Sequence, residues 1–434
     1  MNRRHLAATV AALVLLPISA CGVFRGGGGE GEGKGGAPAA PGVTKEPCPQ
    51  AVDKAKGCIY LGTISDLTSG PFAALAVPIT DAQKAFWKRV NAAGGIGGKY
   101  EVDVQTYVRD NKYNPEVHNQ VYQEIKGKVL GLAQTLGSPT TAAIIADLRA
   151  QRIVSAPASW TSAWEFEDVI IETGSNYCVE AMNSVDYAAE AHKARKVMAV
   201  HYAGDYGADA AAGAKAAAEA GKLEFSAVET PSGATEQGRA IDEIVKGKPD
   251  VVILTTGPAD AAAVIGQSAA RGFRGRFIGT GPTWNPALLK SPAAPAIKAL
   301  YEQSAPGLPY GADTPGHRAM RQALGNVTPN DGYTSGWAWA YPMKAALEKM
   351  VAGGNVGRAG LLAAVKSLTT VDYEGMLPPE AGNFAADPNT AVFRQTLINK
   401  VDEKAPTGVS VARDFFTGPT ARAYRLDGPC FNKL

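Results

Sequence analysis

The chain has 434 residues, is 45% hydrophobic and carries 43 Lys and Arg against 41 Asp and Glu. Its formal charge of +2 leaves no basic face of the kind nucleic acid requires, which excludes that partner class. Length and composition are those of a globular protein of two or three domains, and beyond the N-terminus no stretch is apolar enough to span a bilayer.

Arg3 and Arg4 precede an apolar stretch over residues 6–16, which ends in Ile18-Ser19-Ala20-Cys21. A basic start, a short hydrophobic region and small residues before a cysteine resemble the bacterial lipobox. That resemblance implies a leader over residues 1–20, cleavage before Cys21 and acylation of its sulfur. Residues 22–43 are dominated by Gly, Ala and Pro, including the run 26–29, and bury too little apolar surface to offset their ordering entropy. Residues 21–47 are therefore expected to form a flexible tether holding a folded domain off the membrane. Loss of the leader's two arginines brings the remaining chain near neutrality.

Four cysteines remain: Cys48, Cys58, Cys178 and Cys430. An even number in an exported chain points to disulfides, and four cysteines allow three pairings. The expected set is a short local bridge, Cys48–Cys58, and a long-range one, Cys178–Cys430. With no CxxC and no nearby His pair, a zinc site is disfavoured.

In chain order, a strand is expected at 58–64, a helix at 72–92, a strand at 100–108 and a helix at 115–126. A strand at 129–132, a helix at 140–151 and a strand at 153–155 complete a first α/β series. The second series begins after 170–172. It runs through a helix at 179–192, a strand at 196–201, a helix at 208–220, a strand at 223–228 and a helix at 236–245. A strand at 251–255, a helix at 259–271 and a strand at 277–279 follow. Residues 330–368 are mainly helical, and the tail from about 396 reads as short strands. Strict alternation of strand and helix means parallel sheets, and two such series mean two lobes. Open sheets bind ligands beyond the carboxyl ends of their strands, so facing lobes place a site in the cleft.

Several motifs fall in order along this frame. Asn91-Ala92-Ala93-Gly94-Gly95-Ile96-Gly97-Gly98 is a helix stop and tight turn where Gly takes positive φ at no steric cost. It follows Thr68-Ser69-Gly70-Pro71 at a fixed distance. Gly137-Ser138-Pro139-Thr140-Thr141 opens a helix with hydroxyls and free N–H groups suited to an anion. Further on come Ala156-Pro157-Ala158-Ser159-Trp160, Asp205-Tyr206-Gly207 and Gly279-Thr280-Gly281-Pro282-Thr283-Trp284.

Together these resemble the type I periplasmic binding proteins of the branched-chain amino acid group, the receptors of ATP-driven (ABC) importers. The resemblance runs from about Cys58 to near the C-terminus. It implies an α/β fold of two lobes, each a doubly wound parallel sheet, joined by hinge crossovers. The expected division is 48–173 with 300–395 in the first lobe and 174–299 with 396–434 in the second. Crossovers are expected near 170–176, within 282–309 and in the tail. The resemblance further implies ligand contacts from Ser69, Ser138, Thr140, Ser159 and Trp160 in the first lobe. From the second it implies Asp205, Tyr206, Thr256, Thr280 and Trp284. One departure stands out: amino-acid-binding members place an acid in the last cleft loop, where this chain has Gly281 and no acid between Gly279 and Pro286. A buried ammonium needs a charge or several acceptors. Phe72, Trp160, Tyr206 and Trp284 meanwhile offer aromatic surface. A branched-chain amino acid, an aromatic acid, an amide and other weakly charged solutes thus stand side by side as expected ligands.

No HExxH, GxSxG, complete dinucleotide fingerprint or phosphate loop is present among the motifs, so no catalytic residue, metal or cofactor is expected. The expected partners are a small molecule, a membrane permease and, through Cys21, the membrane, with the protein acting as a monomer on its extracytoplasmic face. A ligand sensor of the same fold, and an exported enzyme with an unfamiliar site, are the alternatives.

Overall fold

The computed structural model describes residues 40–434, so the expected leader, Cys21 and most of the tether lie outside the described residues. Six strands form the first sheet: β1 (Val43–Thr44), β2 (Gly57–Ser65), β3 (Tyr100–Asp103), β4 (Val108–Asp110), β5 (Gly131–Leu136) and β6 (Ser155–Ala158). Seven form the second: β7 (Lys196–Tyr202), β8 (Glu224–Thr230), β9 (Val251–Thr255), β10 (Arg276–Gly279), β11 (Tyr301–Ala305), β12 (Thr396–Val401) and β13 (Val409–Phe416). In the first sheet every pairing is parallel except β1 with β2. The second has the order β13-β12-β11-β10-β9-β7-β8, parallel from β11 to β8 and antiparallel at β12 and β13. The parallel strands are short apolar runs such as Val251–Thr255, buried throughout, as strands covered on both faces must be.

Local chemistry explains where the elements depart from the expected boundaries. The strand expected over 100–108 breaks after β3 because the Asp103 carboxylate accepts from the N–H groups of Gln105 and Thr106, turning the chain before β4. The helix expected over 140–151 is two helices, Ser138–Ala142 and Ile145–Gln151. The glycine turn behaves as its composition requires: Gly94, Gly95, Gly97 and Gly98 all have positive φ, and Ile96 between them is fully buried. The expected tether is shorter than 21–47 at its far end. Val43 and Thr44 pair with β2, and Gly42 accepts from the Tyr60 N–H.

The strand β11 was not expected, since Tyr-Glu-Gln-Ser-Ala lacks the β-branched run of its neighbours. It pairs parallel with β10, so residues 301–305 lie in the second sheet, past the expected lobe boundary at 300. The chain passes between the sheets at 171–176, again after β11, and a third time at 384–395, ahead of the tail. Both disulfides pair as expected. Cys48–Cys58 staples the segment before β2, and Cys178–Cys430 ties helix Tyr177–Ala191 to the last turn of the chain.

One helix contact sets up the site. Helix Ala73–Ala92 contains Pro78, which has no N–H to give to the Ala74 carbonyl. The Asn330 side chain donates to that carbonyl instead, while its oxygen caps helix Asp331–Ala338 by accepting from the Gly332 N–H. Gly332 and Gly336, one turn apart on the same face, meet the Ala73–Ala92 helix backbone directly. A Cβ on either would lie 2.6 Å from the Leu75 carbonyl oxygen or 2.2 Å from that of Ile79. Only glycine allows so close an approach.

Candidate functional site

A cavity opens at the carboxyl ends of β2, β5 and β6 on one side and of β7, β10 and β11 on the other, where open sheets bind ligands. It encloses about 1120 Å³, part of it open to solvent. The rim closes where Phe72 of the first lobe meets Tyr206 of the second, ring centroids 6.0 Å apart.

Its wall is apolar by construction. Six rings make a continuous edge-to-face chain: Tyr113 with Phe72, Phe72 with Tyr206, Tyr206 with Tyr177, Tyr177 with Trp160 and Trp160 with Trp339, at 4.7 to 6.0 Å between centroids. The Trp160 and Tyr206 polar atoms are committed elsewhere, as is the indole N–H of Trp284 on the same wall. The Trp160 Nε1–H donates to the Thr173 carbonyl at 2.7 Å and that of Trp284 to the Thr407 carbonyl at 2.9 Å. The Tyr206 hydroxyl lies within hydrogen-bond reach of the Thr256 carbonyl and the Thr280 hydroxyl. Burial holds the Tyr177 and Tyr206 phenols far above their ordinary pKa, so both stay neutral. Leu75, Ile79, Leu136, Leu308, Met376 and Leu377 complete the apolar surface.

Of the ten expected contacts, Ser138, Ser159, Trp160, Tyr206 and Trp284 line this cavity. The other five lie outside the lining, each for a visible reason. Ser69 is exposed on the loop after β2. The Thr140 hydroxyl turns back to the carbonyls of Leu136 and Gly137. Asp205 accepts from the Tyr206 N–H at the start of helix Asp205–Ala220, and burial raises its pKa to about 6. Thr256 and Thr280 stand behind Tyr206 and orient its hydroxyl.

The absent acid of the Gly281 loop has a counterpart from elsewhere in the chain. Glu180, on helix Tyr177–Ala191, accepts from the Gly281 N–H and from the Ser304 hydroxyl through one oxygen. It lies behind the lining, and burial pushes its carboxyl up to about 8. The acid that does line the cavity is Asp331, which no motif singled out. Its one sequence cue is the Asn-Asp pair that starts a helix. Gln303 was missed because β11 was missed, and with it the pairing that faces Asn399 of β12 toward it. No Lys, Arg or His is among the lining residues. Among the described residues, no group of three or more His, Cys, Asp or Glu is placed to hold a metal ion, and no helix is long and apolar enough to cross a membrane. The arrangement presents apolar contact surface and a few hydrogen-bonding positions.

Comparison with solved structures agrees with this geometry. A fatty acid ABC transporter substrate-binding protein from Thermomonospora curvata superposes with a TM-score of 0.80 at 29% identity, covering 90% of this chain and 97% of that one. A branched-chain amino acid ABC transporter protein from Thermus thermophilus with bound valine gives 0.70 at 16% identity, covering 85% and 98%. A leucine-binding protein from Thermotoga maritima gives 0.68 at 15%, covering 83% and 99%. At such low identity the last two show a shared fold alone. A comparison with curated proteins finds no match. The sequence model described as periplasmic binding protein matches residues 59–404, the greater part of the chain and most strands of both sheets, and the chain belongs to that family.

Proposed function

We propose that this protein is the extracytoplasmic solute receptor of an ABC importer, and that its solute has a long apolar body with a single polar end, as a fatty acid has. The observation that carries this reading is the lining: a chain of six rings with aliphatic side chains around it, and no basic residue. A free amino acid is less well served, because its carboxylate finds no cation there and most of the wall would face it with nothing polar. The fatty-acid receptor from Thermomonospora curvata, at 29% identity over nearly its whole length, supports the same solute class.

The lobes swing about the three crossovers, and solute bridging both sides of the cleft favours the closed form by its greater affinity for it. Cys21 carries the lipid anchor, the Gly-rich segment after it is the tether, and the protein works as a monomer beside its permease. The two disulfides fit an oxidising compartment.

A thermal-shift panel of the purified protein tests the reading, since a ligand that binds only the native form raises the midpoint by mass action. Dodecanoate and related alkyl compounds should raise it, whereas valine, leucine and aromatic amides should leave it nearly unchanged. A shift with the amino acids and none with alkyl compounds would overturn the solute class.

A further inference from the structure

The polar end of the solute must meet the polar atoms the wall offers, and besides the hydroxyls of Ser138 and Thr173, three buried and unpartnered ones belong to Asp331, Thr334 and Asn399. Apart from tyrosines, Asp331 is the one ionisable side chain in the lining. Its Oδ1 accepts from the Tyr310 N–H at 2.7 Å and the Thr407 hydroxyl at 3.0 Å, leaving Oδ2 buried with no partner. Thr334 follows three residues later on the same helical face, and its hydroxyl is also buried and unpartnered. Asn399 contributes a third such atom, Oδ1. Its orientation is set by a hydrogen-bond chain. The Gly281 carbonyl can only accept, so Gln303 turns its Nε2 to it and its Oε1 to Asn399 Nδ2. That leaves the Asn399 oxygen as the unpaired atom. Thr334 and Asn399 are 6% and 1% exposed. Unpaired buried polar atoms of this kind each carry a desolvation cost until something bonds them.

Two of the three atoms can only accept, and the third, a hydroxyl, can do either. A carboxylate, which only accepts, would therefore meet a like-charged Asp331 and an amide oxygen with no basic side chain to offset them. We propose that Asp331, Thr334 and Asn399 form the head-group pole of the cavity and receive a hydrogen-bond donor, so that an acid is taken up in its proton-bearing form with the proton held between its carboxyl and that of Asp331. This deepens the reading above and rests on it for the apolar body of the solute.

The surroundings support such proton sharing. Burial alone raises the Asp331 carboxyl to about 6, with the Tyr310 N–H and Thr407 hydroxyl acting against it. The other titratable groups around the cavity do not supply a counter-charge. Tyr113, Tyr177 and Tyr206 are held neutral by burial. His317, packed behind the 308–309 segment, is lowered to about 4 and is neutral as well. Glu180 and Asp205 are acids outside the lining. Arg321 lies over the Tyr310 ring, 6.0 Å from its centroid, and outside the lining.

Calorimetric titration of the purified protein with dodecanoate, dodecan-1-ol and methyl dodecanoate, from about pH 5 to about pH 8, tests the proposal. Above the Asp331 pKa both carboxyls are ionised before binding and the complex must take up a proton. The dodecanoate Kd should then rise about tenfold per pH unit. Dodecan-1-ol brings its own donor and should bind with little dependence on pH, and the methyl ester, which has none, should bind more weakly than the alcohol. Asp331→Asn keeps an acceptor for Tyr310 and Thr407 and turns an N–H₂ toward the cavity. It should lose the pH dependence and bind dodecanoate more tightly than the wild type near pH 8, a gain that misfolding cannot mimic. A wild-type Kd for dodecanoate flat across this range, or an Asp331→Asn protein no tighter than wild type near pH 8, would overturn the head-group assignment with the apolar-body reading intact. No binding of any alkyl compound at any pH would overturn both.

Discussion

Replacing Gly336 with alanine tests whether the seam between helices Ala73–Ala92 and Asp331–Ala338 positions the polar end of the cavity. The new methyl would sit 2.2 Å from the Ile79 carbonyl oxygen and 2.8 Å from that residue's carbonyl carbon and Cα, all backbone atoms that cannot rotate away. Ordinary contact begins near 3.4 Å, so the helices must part by about 1 Å. Such overpacking costs about 1–3 kcal/mol. Alanine recovers up to about 1 kcal/mol through its better helix propensity, leaving a net loss of about 1–2 kcal/mol. Asp331 and Thr334 ride on the displaced helix, so solute affinity should fall together with stability. Urea unfolding and a solute titration of the same preparation measure both. Gly428→Ala, with nothing within 4 Å of the new methyl, is the control and should change neither. A Gly336→Ala protein with wild-type midpoint and wild-type affinity would refute the close-packed seam.

Two more outcomes follow from buried groups and cross-links. Glu180 ionises in the folded protein only near pH 8, against an ordinary glutamate value when unfolded, so the folded state holds the proton more tightly. Its contribution to stability is complete at acid pH and is lost as the pH rises through about 8. Glu180→Gln should flatten the decline of Tm between about pH 5 and about pH 8, and an unchanged slope would contradict the burial argument. Cys178 and Cys430 are 252 residues apart in sequence and Cys48 and Cys58 only 10. By loop-closure entropy, replacing the long-range pair with serine should cost about 5 kcal/mol and the short pair about 3 kcal/mol, the order being read from denaturant midpoints.

Much of this fold was legible from periodicity. The strand expected at 251–255 is β9 residue for residue, because a continuous β-branched run buried on both faces has little other use. The glycine turn at 94–98 was legible for a similar reason, since a cluster of glycines marks positive φ. What escaped was set by tertiary pairing. β11 has no apolar pattern of its own and is a strand because β10 and β12 flank it. With β11 went Gln303 and its pairing with Asn399 of β12. The site was legible as loops and less so as atoms. Trp160, Tyr206 and Trp284 reach the cavity as their bulk dictates, while Thr140 and Thr280 spend their hydroxyls on neighbouring groups. A hydroxyl's partner depends on fold geometry, which motif spacing does not encode. Asp331 was hidden for a further reason: its place depends on Pro78, Asn330 and two glycines acting together across a long stretch of sequence.

The central claim, that the aromatic-lined space between the sheets holds an alkyl solute, can be tested by fluorescence. Trp160, Trp284 and Trp339, three of the six tryptophans, line the cavity. An ω-bromododecanoate bound there would place its heavy-atom quencher against them. Saturable quenching of part of the emission, reversed by excess dodecanoate and untouched by excess valine, is the expected result. Emission unchanged by the bromo acid at saturating concentration, or quenching that valine relieves and dodecanoate does not, would contradict the account.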